Sequence, residues 1–179
     1  MPNWCTNEVD ILGSRELIAE IAEIVKANPQ GIFQMNDFVP MPEELRETTA
    51  PQDKPNWYDW ANSNWGTKWD LDEETTFYVN EKSIGLGFNT AWSPNCDFWT
   101  AFSEKYPSLR ISHKYYEEGM SFIGESFYEG GAFFDNCQDL TTEMYVKAGA
   151  VLDEEGYVDW DQSDINLFDI FPLGTGENK

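Results

Sequence analysis

The chain has 179 residues and a formal net charge of −22, from 33 acidic residues against 11 basic ones and a single histidine. At this length folding buries roughly 70% of the surface, so one domain with an elaborated tail can build its core without staples. The aromatic content of 16% excludes a disordered chain, and the acidity argues against direct binding to nucleic acid or anionic membrane, which rests on Lys and Arg contacts.

Cys5, Cys96 and Cys137 are odd in number and outside any C-x-x-C pattern, so they are expected to be reduced, buried thiols of a cytosolic protein. No stretch approaches 18 apolar residues, which excludes a membrane-spanning helix. The opening Met1-Pro2-Asn3-Trp4-Cys5 has neither the basic nor the apolar region of a signal peptide. A soluble, cytoplasmic protein is expected.

Cys5 to Leu12 alternates, with Cys5, Asn7, Val9 and Ile11 on one face, which predicts a strand ending at Gly13. Ser14 then caps a helix in which Leu17, Ile18, Ile21, Ile24 and Val25 recur at helical spacing. Asn28-Pro29 and Gly31 end it, and Ile32 to Val39 reads as a short strand stopped by Pro40-Met41-Pro42. Residues 40–75 read as an insert rich in Pro and Trp. So long a loop is unusual without structure of its own, so short helices are expected at Glu43–Arg46 and Trp57–Ser63, laying indoles on the core.

Thr76–Asn80 and Ser83–Trp92 read as strands, the second with Ile84, Leu86, Phe88 and Trp92 on one face. Gly85 and Gly87 on its other face suggest close approach by a backbone or an indole. Ser93-Pro94 is a helix start, with Phe98, Trp99, Phe102 and Tyr106 as the buried stripe and Pro107 beyond the end. Leu109–Tyr116 and Phe122–Tyr128 follow as paired strands. Without the insert this is the split β-α-β pattern, an α+β fold with two helices on one face of an antiparallel sheet. It defines a domain over residues 1–130. Residues 131–179 form an acidic C-terminal extension docked on it. There Met144–Leu152 and Tyr157–Trp160 read as short strands or a hairpin, Ile165–Leu173 as a docking segment, and only Gly174–Lys179 as frayed.

Four fragments together carry a resemblance: Met1-Pro2-Asn3-Trp4-Cys5-Thr6-Asn7, Asn64-Trp65-Gly66-Thr67-Lys68-Trp69-Asp70, Phe88-Asn89-Thr90-Ala91-Trp92-Ser93-Pro94, and Tyr106-Pro107 with Tyr115-Tyr116-Glu117-Glu118-Gly119. Over about residues 1–130 the chain resembles the YubB-type (Api-like) ferredoxin-like proteins carried by plasmids, integrative elements and phages. The resemblance implies the ferredoxin-like fold, a mobile-element origin and a bacterial host cytoplasm. It carries no catalytic residues.

The residues themselves support no enzyme, no metal and no cofactor. His113 is alone, so a catalytic triad or a His-based metal site lacks partners. A calcium loop fails in both registers: from Asp153 it puts Val158 at the turn glycine, and from Asp159 it ends on Ile170. The paired carboxylates Glu117 and Glu118 read as a solvated turn. Trp57, Trp60, Trp65 and Trp69 lack the basic groove of a base-stacking platform and read as a secondary core or as a protein-binding surface.

Charge is the feature a bland reading handles poorly. Residues 115–178 carry fifteen acids and one base, Lys147, whereas a surface built for solubility intersperses both signs. Together with the resemblance, this points to a phage or mobile-element anti-defence inhibitor, an acidic DNA mimic that occupies a basic groove of a host defence nuclease or complex. Same-face side chains on a strand repeat at roughly 6.6 Å, against one charge per roughly 1.7 Å of duplex axis. Several acidic elements must therefore converge, and the candidates are Glu117, Glu118, Glu125, Glu129, Asp153, Glu154, Glu155, Asp159, Asp161 and Asp164. The alternative is a non-enzymatic interaction module that binds through Trp57, Trp60, Trp65 and Trp69.

Overall fold

Alternation carries strand β1 (Trp4–Leu12) into the middle of a sheet, with Cys5, Asn7, Val9 and Ile11 buried on one face. The structure, a computed structural model, describes residues 3–173. The other strands are β2 (Thr76–Val79), β3 (Ser83–Ala91), β4 (Arg110–Glu117), β5 (Phe122–Glu129) and β6 (Ala132–Asp139). They lie in the order β2-β3-β1-β4-β5-β6, and every neighbouring pair is antiparallel. β3 and β4 therefore run parallel with β1 between them, joined by helix α4 (Cys96–Lys105). β1 and β2 likewise run parallel around β3, joined by a crossover that begins with helix α1 (Arg15–Ala27). Two interlocked split β-α-β units are the ferredoxin-like arrangement, here widened by the β5–β6 hairpin.

Ser14 caps α1 by accepting from the Leu17 N–H, and Ile18, Ile21 and Val25 face the sheet. They join Phe98, Trp99 and Phe102 of α4 and Val9 and Ile11 of β1 in a single core. The crossover from α1 to β2 holds a 3-10 turn at Met35–Asp37 and helices α2 (Glu43–Arg46) and α3 (Trp57–Asn64). The strand expected over Ile32–Val39 is therefore absent. The Asp70 carboxylate takes the Met35 and Asn36 N–H groups at 2.6 and 3.1 Å, so these donors need no neighbouring strand. Phe33, Met35 and Phe38 are buried in and around this 3-10 turn.

α4 begins at Cys96, two residues beyond the expected Pro94 start. Ser93 is not its cap, because its hydroxyl donates to the Gly66 carbonyl at 2.9 Å and ties the crossover down. The preceding Asn95 turns inward and accepts from Trp99 Nε1 at 3.0 Å. Trp92 also leaves the face assigned to it. β3 ends at Ala91, Trp92 adopts φ 73° with its N–H on the Asn3 carbonyl, and the indole is exposed. Beside Gly85 and Gly87 lie the side chains of Asp10 and Thr76, not an indole.

Beyond Tyr128 the chain departs more often from its local pattern. β6 was not expected, yet it pairs with β5 along its whole length. Met144 begins no strand, since Thr142–Lys147 forms helix α5, capped by the Thr141 side chain accepting from the Met144 N–H. A single bridge, Leu152 to Val158, closes the loop around Asp153–Gly156. Leu167 and Leu173 are buried with Ile123, Leu140 and Ala148 in a second cluster that also holds Tyr116, so Ile165–Leu173 does dock. The expected fraying of Gly174–Lys179 lies outside the described residues.

Gly124 in β5 stands opposite Tyr115 in β4, and a Cβ at Gly124 would overlap the Tyr115 ring. Tyr115 is buried and its hydroxyl donates to Asp135, so the ring has little freedom to yield. Gly124→Ala is expected to cost about 1–3 kcal/mol, read as a lower urea midpoint by far-UV circular dichroism. A midpoint unchanged from wild type would show that the ring swings away freely.

Candidate functional site

The acidic candidates divide according to what each carboxylate already does. Glu117 is a correction: it is buried, and its two oxygens accept from the Gly119 and Met120 N–H groups at 2.8 and 2.6 Å, closing the β4–β5 turn. Glu125 is a second, buried opposite Lys114 in the strand register. Glu129 is exposed but paired with Arg110 at 3.4 Å. Asp153 accepts from the Glu155 and Tyr157 N–H groups, and Asp159 from those of Asp161 and Gln162. These two shape their own turns.

Glu118, Glu154, Glu155, Asp161 and Asp164 remain exposed. Tyr145 of α5 touches both segments that carry them: its hydroxyl donates to Glu118 at 3.2 Å and its ring meets Trp160 edge-on at 5.6 Å. Through Tyr145 the β4–β5 turn and the 153–164 loop both meet α5. These contacts do not extend to Glu125 or Glu129. Lys147, the base of this region among the described residues, pairs with Glu143 at 3.0 Å, and among those residues no salt bridge reaches Glu118, Glu154, Glu155, Asp161 or Asp164.

The tryptophans serve the interior more than the surface. Trp65 is buried, donates from Nε1 to the Val39 carbonyl at 2.9 Å and meets Trp60 edge-on at 5.2 Å. Trp57 is half-buried beside Tyr58. Of the four candidates Trp69 alone is exposed. It carries Lys68 Nζ over its ring at 3.8 Å and lies 6.0 Å from Trp4, a partner the sequence did not suggest.

His113 sits in a closed polar line. Asn7 Nδ2 donates to the Cys5 carbonyl at 2.7 Å and to Thr90 Oγ at 2.9 Å, so Asn7 Oδ1 is the acceptor that faces His113 Nε2 at 2.9 Å. His113 Nδ1 then accepts from the Tyr128 hydroxyl at 3.3 Å. Burial pushes its pKa down to about 3, which keeps the ring neutral and unfit to exchange protons near neutrality. The cysteines are free, with Cys5 buried, Cys96 half-buried and Cys137 exposed, so the expectation of burial is corrected for Cys137. Burial pushes the Cys96 thiol up to about 11 and the Cys5 thiol higher still, away from nucleophilic thiolate. Among the described residues no group of three or more His, Cys, Asp or Glu is placed to hold a metal ion, and no helix is long and apolar enough to cross a membrane.

One exposed feature was missed altogether: the β5–β6 hairpin presents Phe127, Phe133 and Phe134 to solvent. Its signal was Gly130-Gly131 between two aromatic runs, a hairpin dipeptide. Both glycines take positive φ, 58° and 81°, as a type I′ turn requires.

These features define a ferredoxin-like α+β domain widened by a hairpin, with exposed carboxylates on the β4–β5 turn and the 153–164 loop. Residues 64–151 match the family model described as the ferredoxin-like domain in Api92-like protein. The crystal structure of the protein Api92 from Yersinia pseudotuberculosis has the same fold, with a TM-score of 0.55 at 9% identity over 78% of this chain and 98% of that one. The family-model match concerns residues 64–151, and the likeness to the solved structure is one of fold. No curated protein matches the chain.

Proposed function

We propose that the chain is a non-enzymatic anti-defence inhibitor of a phage or other mobile element, an acidic mimic of nucleic acid that occupies a basic groove on a host defence nuclease or complex. The observation that carries this reading is that Glu118, Glu154, Glu155, Asp161 and Asp164 are all exposed and without a salt-bridge partner among the described residues, with Tyr145 touching both Glu118 and Trp160. Ordered like charges repel one another and weaken the folded state. A basic groove would neutralise them and turn that repulsion into affinity and fast association.

The test uses side chains that do not shape the loop. Asp153 and Asp159 are left intact because both accept backbone N–H groups. The triple variant Glu154→Lys, Glu155→Lys, Asp161→Lys is expected to fold normally and to lose inhibition of a panel of purified host defence nucleases. Wild-type inhibition is expected to fade at roughly 0.5 M salt, where the screening length is only about 4 Å. Inhibition that survives both salt and charge reversal would exclude the mimic. A second reading, an interaction module that uses the crossover, is supported by the exposed pair Trp4 and Trp69. Trp69→Ala would then remove partner binding while the triple variant retained it.

A further inference from the structure

The two edges of the sheet are protected unequally. β2, at one edge, is four residues long, and short edge strands give a foreign strand little to pair with. β6, at the other, runs for eight residues as AFFDNCQD, with no Pro, Gly or Lys to interrupt it. The Gly130-Gly131 turn makes Glu129 and Ala132 its closing hydrogen-bonded pair. Alternate residues from Ala132 onward thus bond inward to β5, and the N–H and C=O groups of Phe133, Asp135, Cys137 and Asp139 point outward. Among the described residues no backbone hydrogen bond covers that edge. Phe133 is 49% exposed and Phe134 61%, with Phe127 beside Phe134 at 6.3 Å between ring centroids.

We propose that the outer edge of β6 is a docking site for an extended basic segment of a partner protein, which adds to the sheet as a seventh strand. Main-chain hydrogen bonds supply affinity in this mode, and alternate side chains supply specificity. Charge selects the occupant. A second copy of this chain would bring its own Asp135 and Asp139 to the junction, on a molecule of net charge −22. A basic strand meets the opposite situation. Asp135 Oδ1 already accepts from the Tyr115 and Ser126 hydroxyls, each at 2.6 Å, so Oδ2 is left for a cation from outside. The occupant carries an apolar residue opposite Phe133 and Lys or Arg opposite Asp135 and Asp139. Its intervening side chains are apolar and lie along Phe134. This proposal does not depend on the role of the exposed carboxylates of the 153–164 loop.

The experiment uses the full chain and a fluorescein-labelled peptide, Lys-Val-Lys-Val-Lys-Val-Phe-Val, in which the three Lys and the Phe share one face and an antiparallel register sets Phe opposite Phe133 and Lys opposite Asp135 and Asp139. Binding by anisotropy is expected, with slowed hydrogen exchange confined to the amides of Phe133 through Asp139. The same peptide N-methylated at its Lys and Phe residues lacks the donors and is expected to bind at least about tenfold more weakly. Phe134→Lys, an exposed substitution that places a charge on the edge, is expected to weaken binding by a similar factor. The triple variant of the 153–164 loop is expected to bind within about twofold of wild type, which separates this proposal from the preceding one. Equal binding of the N-methylated peptide would reduce the interaction to charge alone and overturn the strand. Absence of peptide binding, or a concentration-dependent dimer in sedimentation that Phe134→Lys dissolves, would overturn the basic occupant.

Discussion

Trp99→Ala is expected to cost about 3–5 kcal/mol of folding stability, the usual range for truncating a fully buried aromatic to alanine. Trp99 is fully buried and joins three parts of the fold. Its ring meets Phe98 and Phe102 of its own helix at 4.8 and 5.5 Å, Phe33 of the crossover at 5.9 Å, and Phe88 of β3 at 6.4 Å. Truncation also leaves the Asn95 side-chain oxygen, buried and bonded to the indole N–H, without its donor. Against a total of about 5–15 kcal/mol for a domain of ordinary stability, this is a fifth or more. Urea unfolding followed by far-UV circular dichroism reads it directly. A loss below about 1 kcal/mol would mean that neighbouring rings collapse into the space. Trp99→Phe, which keeps most of the volume, separates the packing loss from the lost N–H donor.

The second large effect is a loss of stability on mild acidification that runs through His113. Its folded pKa of about 3 lies below the unfolded value of about 6.5, so the unfolded chain binds the extra proton between those limits. The stabilisation is complete above pH 6.5 and is lost as pH falls towards 3. The slope approaches 1.36 kcal/mol per pH unit once pH is well below 6.5, which makes about 2 kcal/mol between pH 6.5 and 4.5. Two influences act in the other direction. Desolvation holds Glu8, Asp70 and Asp97 above the usual carboxylate range, so their contribution favours acid and is lost as pH rises through the folded values. Protonating surface carboxylates also relieves self-repulsion. The difference between wild type and His113→Gln is therefore the readout, since glutamine can bond both Asn7 and Tyr128 without taking up a proton. The difference is expected to shrink steadily from pH 6.5 to 4.5. Parallel curves would show that His113 is not the group that titrates.

Periodicity made the ferredoxin-like half of this chain legible. α1 and its Ser14 cap, the alternation of β1, and the stripe Phe98, Trp99, Phe102 and Tyr106 each follow from local pattern, and the structure places them as expected. What escaped was set by partners distant in sequence. Ile32–Val39 looks like a strand until the Asp70 carboxylate takes its amides. Ser93 looks like a cap until the Gly66 carbonyl takes its hydroxyl. β6 alternates weakly because neither of its faces is well buried. The acidic candidates were legible as charge but not as roles. Composition cannot tell that Glu117 closes a turn and Glu125 is buried while Glu154 and Glu155 stand free, because those differences lie in backbone geometry.

The position of β1 has a consequence for synthesis. It is the first strand to leave the ribosome, yet it lies at the centre of the sheet, flanked by β3 and β4. Its pairing with β3 joins Leu12 to Ser83, so about seventy residues of crossover must be translated before the nearer neighbour exists. At about 5–20 residues per second this leaves β1 unpaired for roughly 4–14 seconds. Its apolar face, Cys5, Val9 and Ile11, is exposed throughout that interval except where α1 can fold back on it. The nascent protein therefore depends on α1 as its own temporary cover. Weakening that helix would be felt in yield and aggregation during expression before it was felt in the stability of the finished fold.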